Sequence, residues 1–177
     1  MDELRRDFIK KAGIGTAALT VGGLLPGFSA KSYGNVIGAN GSINFAVTGV
    51  HSRGLAHIDA ILALKNVTIG YICDVDSKVA AAAVAKVEKA TGKKPQIVED
   101  IRKLVEIKDI DAVTIATPDH WHAPMAILAA TGGKNVYCEK PVCHNLHEAE
   151  LLIELYKKYP KQVLQYGCQG RSGPRMQ

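Results

Sequence analysis

The chain has 177 residues, with 22 Lys and Arg against 17 Asp and Glu and a formal net charge of +5. Hydrophobic residues make up 47%, which excludes the low-hydrophobicity, high-charge composition of a disordered chain, and the length suits one domain with an extension. The basic residues are scattered singly or in pairs such as Lys93-Lys94, and the four cysteines (Cys73, Cys138, Cys143, Cys168) form no Cys-x-x-Cys pair, so a nucleic-acid footprint, a zinc ribbon and a thioredoxin-type motif are set aside.

The first segment stands apart. Arg5-Arg6 precedes Asp7-Phe8-Ile9-Lys10-Lys11 and then nineteen uncharged residues from Ala12 to Ala30. Five glycines in that stretch (Gly13, Gly15, Gly22, Gly23, Gly27) make it weakly apolar for a membrane span. A basic start and a moderate apolar core form a signal-peptide layout, and the segment resembles the twin-arginine consensus at Arg5, Arg6, Phe8 and Lys10. Residues 1–30 are therefore expected to be an export signal and the product periplasmic, with an uncleaved membrane anchor as the alternative. Removal of the signal would leave no stable membrane span. Residues 31–41, with Gly34, Asn35, Gly38, Asn40 and Gly41, are expected to be a linker.

From Ser42 onward the hydrophobic period switches repeatedly. Ile43 to Thr48 is a β-type run closed by Gly49, and Gly54 to Leu64 puts Leu55, Ile58, Ile61 and Leu62 on one helical face. Val67 to Cys73 makes a second strand. Ser77 to Ala90 is a helix stopped at Gly92, and Gln96 to Val98 is a short third strand. Asp100 can cap a helix running through Glu106. Ala112 to Ala116 is a fourth strand, leading through Pro118 into a helix that ends near Gly132-Gly133. Asn135 to Cys138, Leu146 to Tyr159 and Val163 to Tyr166 complete the series as strand, helix and strand. The strands are continuous apolar runs, as expected when helices cover both faces of a parallel sheet. The pattern predicts an α/β fold, a doubly wound parallel sheet of six strands over residues 42–177.

The first strand enters Gly49-Val50-His51-Ser52-Arg53-Gly54. A dinucleotide fingerprint wants Gly at the first, third and sixth places. Gly49 allows the tight turn and Gly54 the close packing of helix on strand, while His51 stands where the second Gly would be. Helix amides from Ser52 and Arg53 onward, with the positive end of the helix dipole, favour a diphosphate. Asp74 ends strand two, where a carboxylate can accept the ribose hydroxyls of NAD and repel the 2′-phosphate of NADP. Val75 follows it, and no Lys or Arg adjoins to receive that phosphate.

Two further segments narrow the reading. Ala116-Thr117-Pro118-Asp119-His120-Trp121-His122 follows strand four, and Cys138-Glu139-Lys140-Pro141 follows strand five. With the glycine turn and Cys73-Asp74, residues 40–177 resemble the nucleotide domain of the glucose–fructose oxidoreductase / inositol dehydrogenase / rhizopine-catabolism (Gfo/Idh/MocA) family. The resemblance implies that Thr117, Pro118 and His122 lie along the cofactor. It also implies that Glu139 belongs to the cofactor site and that Lys140 reaches the nicotinamide and the reacting sugar hydroxyl, as the catalytic lysine. Asp119 stands where the family carries Asn, so that amide's contact is not carried over. Both segments fall at strand carboxyl ends, where doubly wound sheets bind ligands. Lys140, between two such ends and before a rigid proline, is expected to be partly desolvated, which lowers a lysine's pKa toward use as a proton relay.

His120 and His122 are two apart, too close for helical zinc-ligand pairing, so no metal site is expected. Cys73 and Cys138 are expected as core thiols. The resembled family continues into a second α/β domain that carries the sugar groove, part of the catalytic site and the usual oligomer interface. The resemblance therefore implies the nucleotide half of an NAD-dependent oxidoreductase with a sugar or polyol substrate, inactive by itself and oligomeric only with that second domain. The alternatives are the family's NAD-dependent glycosidases, which lack the intact Glu-Lys-Pro, and a nucleotide-binding module without catalysis.

Overall fold

The computed structural model describes residues 41–168. The expected signal over 1–30 and all but the last residue of the expected linker lie outside the described residues, as do residues 169–177. Six strands alternate with helices: β1 (Ile43–Thr48), α1 (Ser52–Leu62), β2 (Val67–Cys73), α2 (Ser77–Thr91), β3 (Gln96–Val98), α3 (Ile101–Leu104), β4 (Ala112–Ile115), α4 (His122–Thr131), β5 (Asn135–Cys138), α5 (Leu146–Lys158) and β6 (Leu164–Tyr166). Every strand pair is parallel and the order is β3-β2-β1-β4-β5-β6. The chain winds outward from β1 to one edge, then returns beside β1 as β4 and winds to the other. That reversal opens a crevice at the carboxyl ends of β1 and β4.

Alternate side chains of the central strands enter two apolar layers. Val47 and Ile72 pack with Ile58, Val84 and Val87 of α1 and α2, while Ala46, Tyr71, Val113 and Val136 pack with Leu104, Ala126 and Leu155 on the other face. A register shift at Phe45/Ala46 skips Gly70 opposite, so Ile69 and Ile72 reach the same layer. Burying a side chain such as Ile58 or Ile72 completely contributes about 1.5–3 kcal/mol. The edge strands β3 and β6 are short and largely exposed.

Helix ends follow local chemistry. Asp76 caps α2 by accepting from Lys78 N and Val79 N, and Gly92 closes it in the left-handed region at φ 70°. Asp100 accepts from Arg102 N to start α3, and Asn145 accepts from Glu148 N to start α5. Two boundaries differ from the sequence expectation. α3 ends at Leu104 rather than Glu106, because Ile107 N turns back to Leu104 O at 3.2 Å. The helix after Pro118 opens with a 3-10 turn over Asp119–Trp121 before α4 begins at His122.

The amino end of the sheet is closed by polar groups. Asp111 accepts from Asn44 N at 2.8 Å, Tyr71 donates its hydroxyl to Asp109, and the buried Lys134 ammonium donates to Ile107 O and Ile110 O. Burial pulls the Lys134 ammonium below the ordinary lysine value, against the pull of Asp109 and Asp111. Among the described residues no helix is long and apolar enough to cross a membrane.

Candidate cofactor site at the sheet's switch point

The turn after β1 has little room. Gly49 has φ 75°, and a Cβ there would lie 2.8 Å from the Ala116 carbonyl carbon and oxygen. A Cβ on Gly54 would lie 1.8 Å from Gly49 O, so both positions exclude any side chain. His51 occupies the third place of the fingerprint at φ −73° and ψ −136°, so its φ is not the left-handed one that favours glycine. It is exposed, and its carbonyl accepts from Leu55 N. No side chain caps the first turn of α1. The Ser52 and Arg53 amides and the positive helix end therefore lie at the crevice mouth, suited to a diphosphate.

Asp74 is fixed on both carboxylate oxygens. Oδ2 accepts from Val50 N at 2.8 Å and Oδ1 from Asp76 N at 3.0 Å. The carboxylate thus fastens the end of β2 to the glycine turn, half-exposed, with lone pairs left for ribose hydroxyls. The cap of α2 belongs to Asp76, so Asp74 is not occupied in that role.

The loop after β4 leaves Thr117 half-buried and Pro118 exposed. His122 is engaged by the protein itself. It is 1% exposed, with Nδ1 2.6 Å from Pro141 O and Nε2 2.8 Å from Thr117 O. Both ring nitrogens face backbone carbonyls of the two loops, so the ring holds those loops together and offers no nitrogen to a ligand.

Glu139 is likewise engaged within the protein. At 3% exposure its Oε1 accepts from Arg53 Nε at 2.7 Å and lies 3.0 Å from His57 Nε2, while Oε2 accepts from Lys140 N at 3.3 Å. Burial pushes this carboxyl up, but the His57 and Arg53 hydrogen bonds and the guanidinium charge outweigh it and leave it below the usual value. Its side-chain partners Arg53 and His57 come from α1, so Glu139 braces that helix against the end of β5. Tyr137 stands edge-on to His57, with ring centroids 5.4 Å apart.

Lys140 is exposed and joined to Pro141 by a cis peptide bond. The desolvation expected for it is not present, because neither strand end covers its side chain. Two groups emerge. Gly49, His51, Ser52, Arg53, Gly54 and Asp74 surround the start of α1, and Thr117, Pro118, His122, Glu139 and Lys140 gather at the ends of β4 and β5. The Arg53–Glu139 ion pair joins the two groups. His57 and Tyr137 were not singled out from the sequence. His57 and Glu139 are 82 residues apart, and no local spacing signals their contact. The buried thiols Cys73 and Cys138 are where the sequence put them, and burial, reinforced by neighbouring carboxylates, pushes each up to about 12.

Residues 43–167 match the Gfo/Idh/MocA model, an oxidoreductase family with an NAD-binding Rossmann fold. Among curated relatives, the α-N-acetylgalactosaminidase of Shewanella oneidensis is 30% identical over 175 residues, covering 90% of this chain and 38% of the relative. A glycosyl hydrolase family 109 protein of Shewanella sp. (strain ANA-3) matches to the same extent. The chain thus spans well under half the length of these relatives. Myo-inositol 2-dehydrogenase from Lactobacillus plantarum superposes with a TM-score of 0.68 at 25% identity, covering 75% of this chain and 38% of that one. Myo-inositol dehydrogenase from Lactobacillus casei, solved with NAD(H) and myo-inositol, superposes with a TM-score of 0.69 at 25% identity and the same coverage. The glycine turn, the acid ending β2 and the Glu-Lys-Pro turn ending β5 stand together on a sheet of this order, and the chain belongs to the Gfo/Idh/MocA oxidoreductase family as its NAD-binding Rossmann domain.

Proposed function

We propose that residues 42–177 are the cofactor half of an NAD-dependent oxidoreductase that moves hydride between nicotinamide and a carbinol carbon of a sugar or polyol. The observation that carries this is the placement of an intact Glu139-Lys140-Pro141 turn at the carboxyl end of β5, joined through Arg53 to the diphosphate turn. In this reading α1's first amides hold the diphosphate and Asp74 accepts the adenosine ribose hydroxyls. NAD supplies the hydride acceptor when bound. Lys140, exposed at the crevice, takes up or returns the substrate hydroxyl proton. The sugar groove and any oligomer interface belong to a further domain.

Calorimetric titration with NAD and NADP tests the cofactor assignment. NAD is expected to bind more tightly, and Asp74→Ala to weaken it by about 1.5–3 kcal/mol, the range for hydrogen bonds to a charged group. NADP binding as tightly as NAD removes Asp74 from its role.

The family 109 relatives favour a second reading, a glycosidase that oxidises its sugar transiently and restores the cofactor. A protein carrying both domains accumulates reduced cofactor in the first case. In the second it releases an aglycone with no net reduction. We also propose, from Arg5-Arg6 and the uncharged stretch after them, that residues 1–30 direct twin-arginine export to the periplasm.

A further inference from the structure

We infer that His122 is a positioning residue for Lys140, acting through the carbonyl of the residue that follows it. The inference rests on the oxidoreductase reading, and it follows from the only way this buried ring is used among the described residues. His122 opens α4, is 1% exposed, and spans from Thr117 O on the loop after β4 to Pro141 O on the loop after β5. β4 and β5 are already neighbours in the sheet, but their ladder ends at Ile115 and Cys138. Beyond those residues the imidazole is a rigid spacer between the two loops, with one ring nitrogen facing a carbonyl of each. A carbonyl oxygen only accepts, so a neutral ring donates to one of the two. The Pro141 contact is the shorter, at 2.6 Å against 2.8 Å, and it is the tie that bears on Lys140.

The consequence for Lys140 is geometric. Its amide donates to Glu139 Oε2, and the carbonyl one residue on is held by His122. The backbone is therefore fastened on both sides of an otherwise exposed lysine. A long side chain on a loose turn samples many directions, whereas the same side chain on a clamped turn leaves from one point in one direction, which proton transfer at a fixed substrate hydroxyl requires. His122 is buried and its ring nitrogens meet backbone carbonyls, so its effect passes through the backbone.

The ring's two ends can be tested separately in the 177-residue chain. His122→Asn keeps a donor near the Nδ1 position and retains the tie to Pro141 O. His122→Gln keeps one near the Nε2 position and retains only the tie to Thr117 O. Amide hydrogen exchange without ligand is expected to be about fivefold faster over 140–143 in the Gln variant than in the Asn variant, the change for loss of one net hydrogen bond. Amides of β1 serve as the control and should match. With NAD saturating by calorimetry, reductive methylation mapped by mass spectrometry should show Lys140 protected in wild type and in His122→Asn, but not in His122→Gln. Equal exchange over 140–143 in both variants, or equal Lys140 protection in both, overturns the inference. Absence of any NAD binding by wild type overturns the functional reading instead, and leaves the ligand-free exchange to judge the tie. Should both variants unfold, wild type decides by NMR: a slowly exchanging Nδ1 proton on His122 supports the tie, and a freely exchanging one overturns it.

Discussion

Glu139 shows how far a residue's role can depart from its motif. The sequence marks it as part of a cofactor turn, yet it is buried and spends its oxygens on Arg53, His57 and the Lys140 amide. The Arg53 side chain is 44% exposed, so solvent screens that half of the pairing. The buried His57 contact is worth more, because truncating Glu139 strands the Nε2 atom away from water. Glu139→Ala is expected to destabilise the chain by about 1–3 kcal/mol in urea unfolding, the cost of leaving a buried polar group without its partner. A pH signature should accompany it. The folded carboxyl sits below its unfolded value of 4.5, so its contribution is present above that value and is lost as pH falls through the folded one. Acid unfolding of Glu139→Ala should therefore lack that component, and an unchanged acid profile would assign it elsewhere.

Strands β2 and β5 each end on a buried thiol, and this makes a prediction at the level of the element. Cys73 and Cys138 are pushed up to about 12 in the fold against 9 when unfolded. Between those values the unfolded chain releases protons that the folded chain retains. Stability therefore falls as pH rises through this window, by about 1 kcal/mol per pH unit per thiol. Tyr71, pushed up to about 12 from 10 mainly by burial, acts in the same direction from pH 10 upward, and Lys134 acts in the opposite one. Urea midpoints measured between pH 9 and 11 should drop steeply in wild type and less steeply in Cys73→Ala/Cys138→Ala. An unaltered slope in the double variant would assign the loss to the tyrosines Tyr71 and Tyr137, both raised first by burial. The strands themselves were legible as continuous apolar runs because both faces are covered. The truncation of α3 was not, since its stop is a backbone turn at Ile107 that packing imposes.

For the whole chain, the export proposed for residues 1–30 would be linked to cofactor loading. Twin-arginine transport carries folded proteins, and NAD is made in the cytoplasm, so an exported dinucleotide domain must be loaded first and must release slowly. Retained ligand stabilises the fold by mass action, by about 2.7 kcal/mol when its effective concentration exceeds the dissociation constant a hundredfold. Protein recovered from the periplasm is expected to carry NAD near one to one by mass spectrometry after denaturation. Arg5→Lys/Arg6→Lys is expected to keep it in the cytoplasm. Empty periplasmic protein, or export unaffected by the double substitution, contradicts this account.

The amino-acid sequence by itself determined the alternation of six strands and their helices, the glycine turn and the acid at the end of β2. Each of these depends on residues close together in the chain, through hydrophobic period, capping chemistry or conformations open only to glycine. It also determined the family, because the Glu-Lys-Pro turn is a local string. Tertiary structure alone decided which motif residues face the crevice and which hold the frame. Glu139 meets His57 across 82 residues, and His122 meets Pro141 across 19. Whether a polar group is free for a ligand depends on what the fold brings against it, and a buried carboxylate or imidazole takes the nearest partner because leaving it unpaired costs more than any motif can offset.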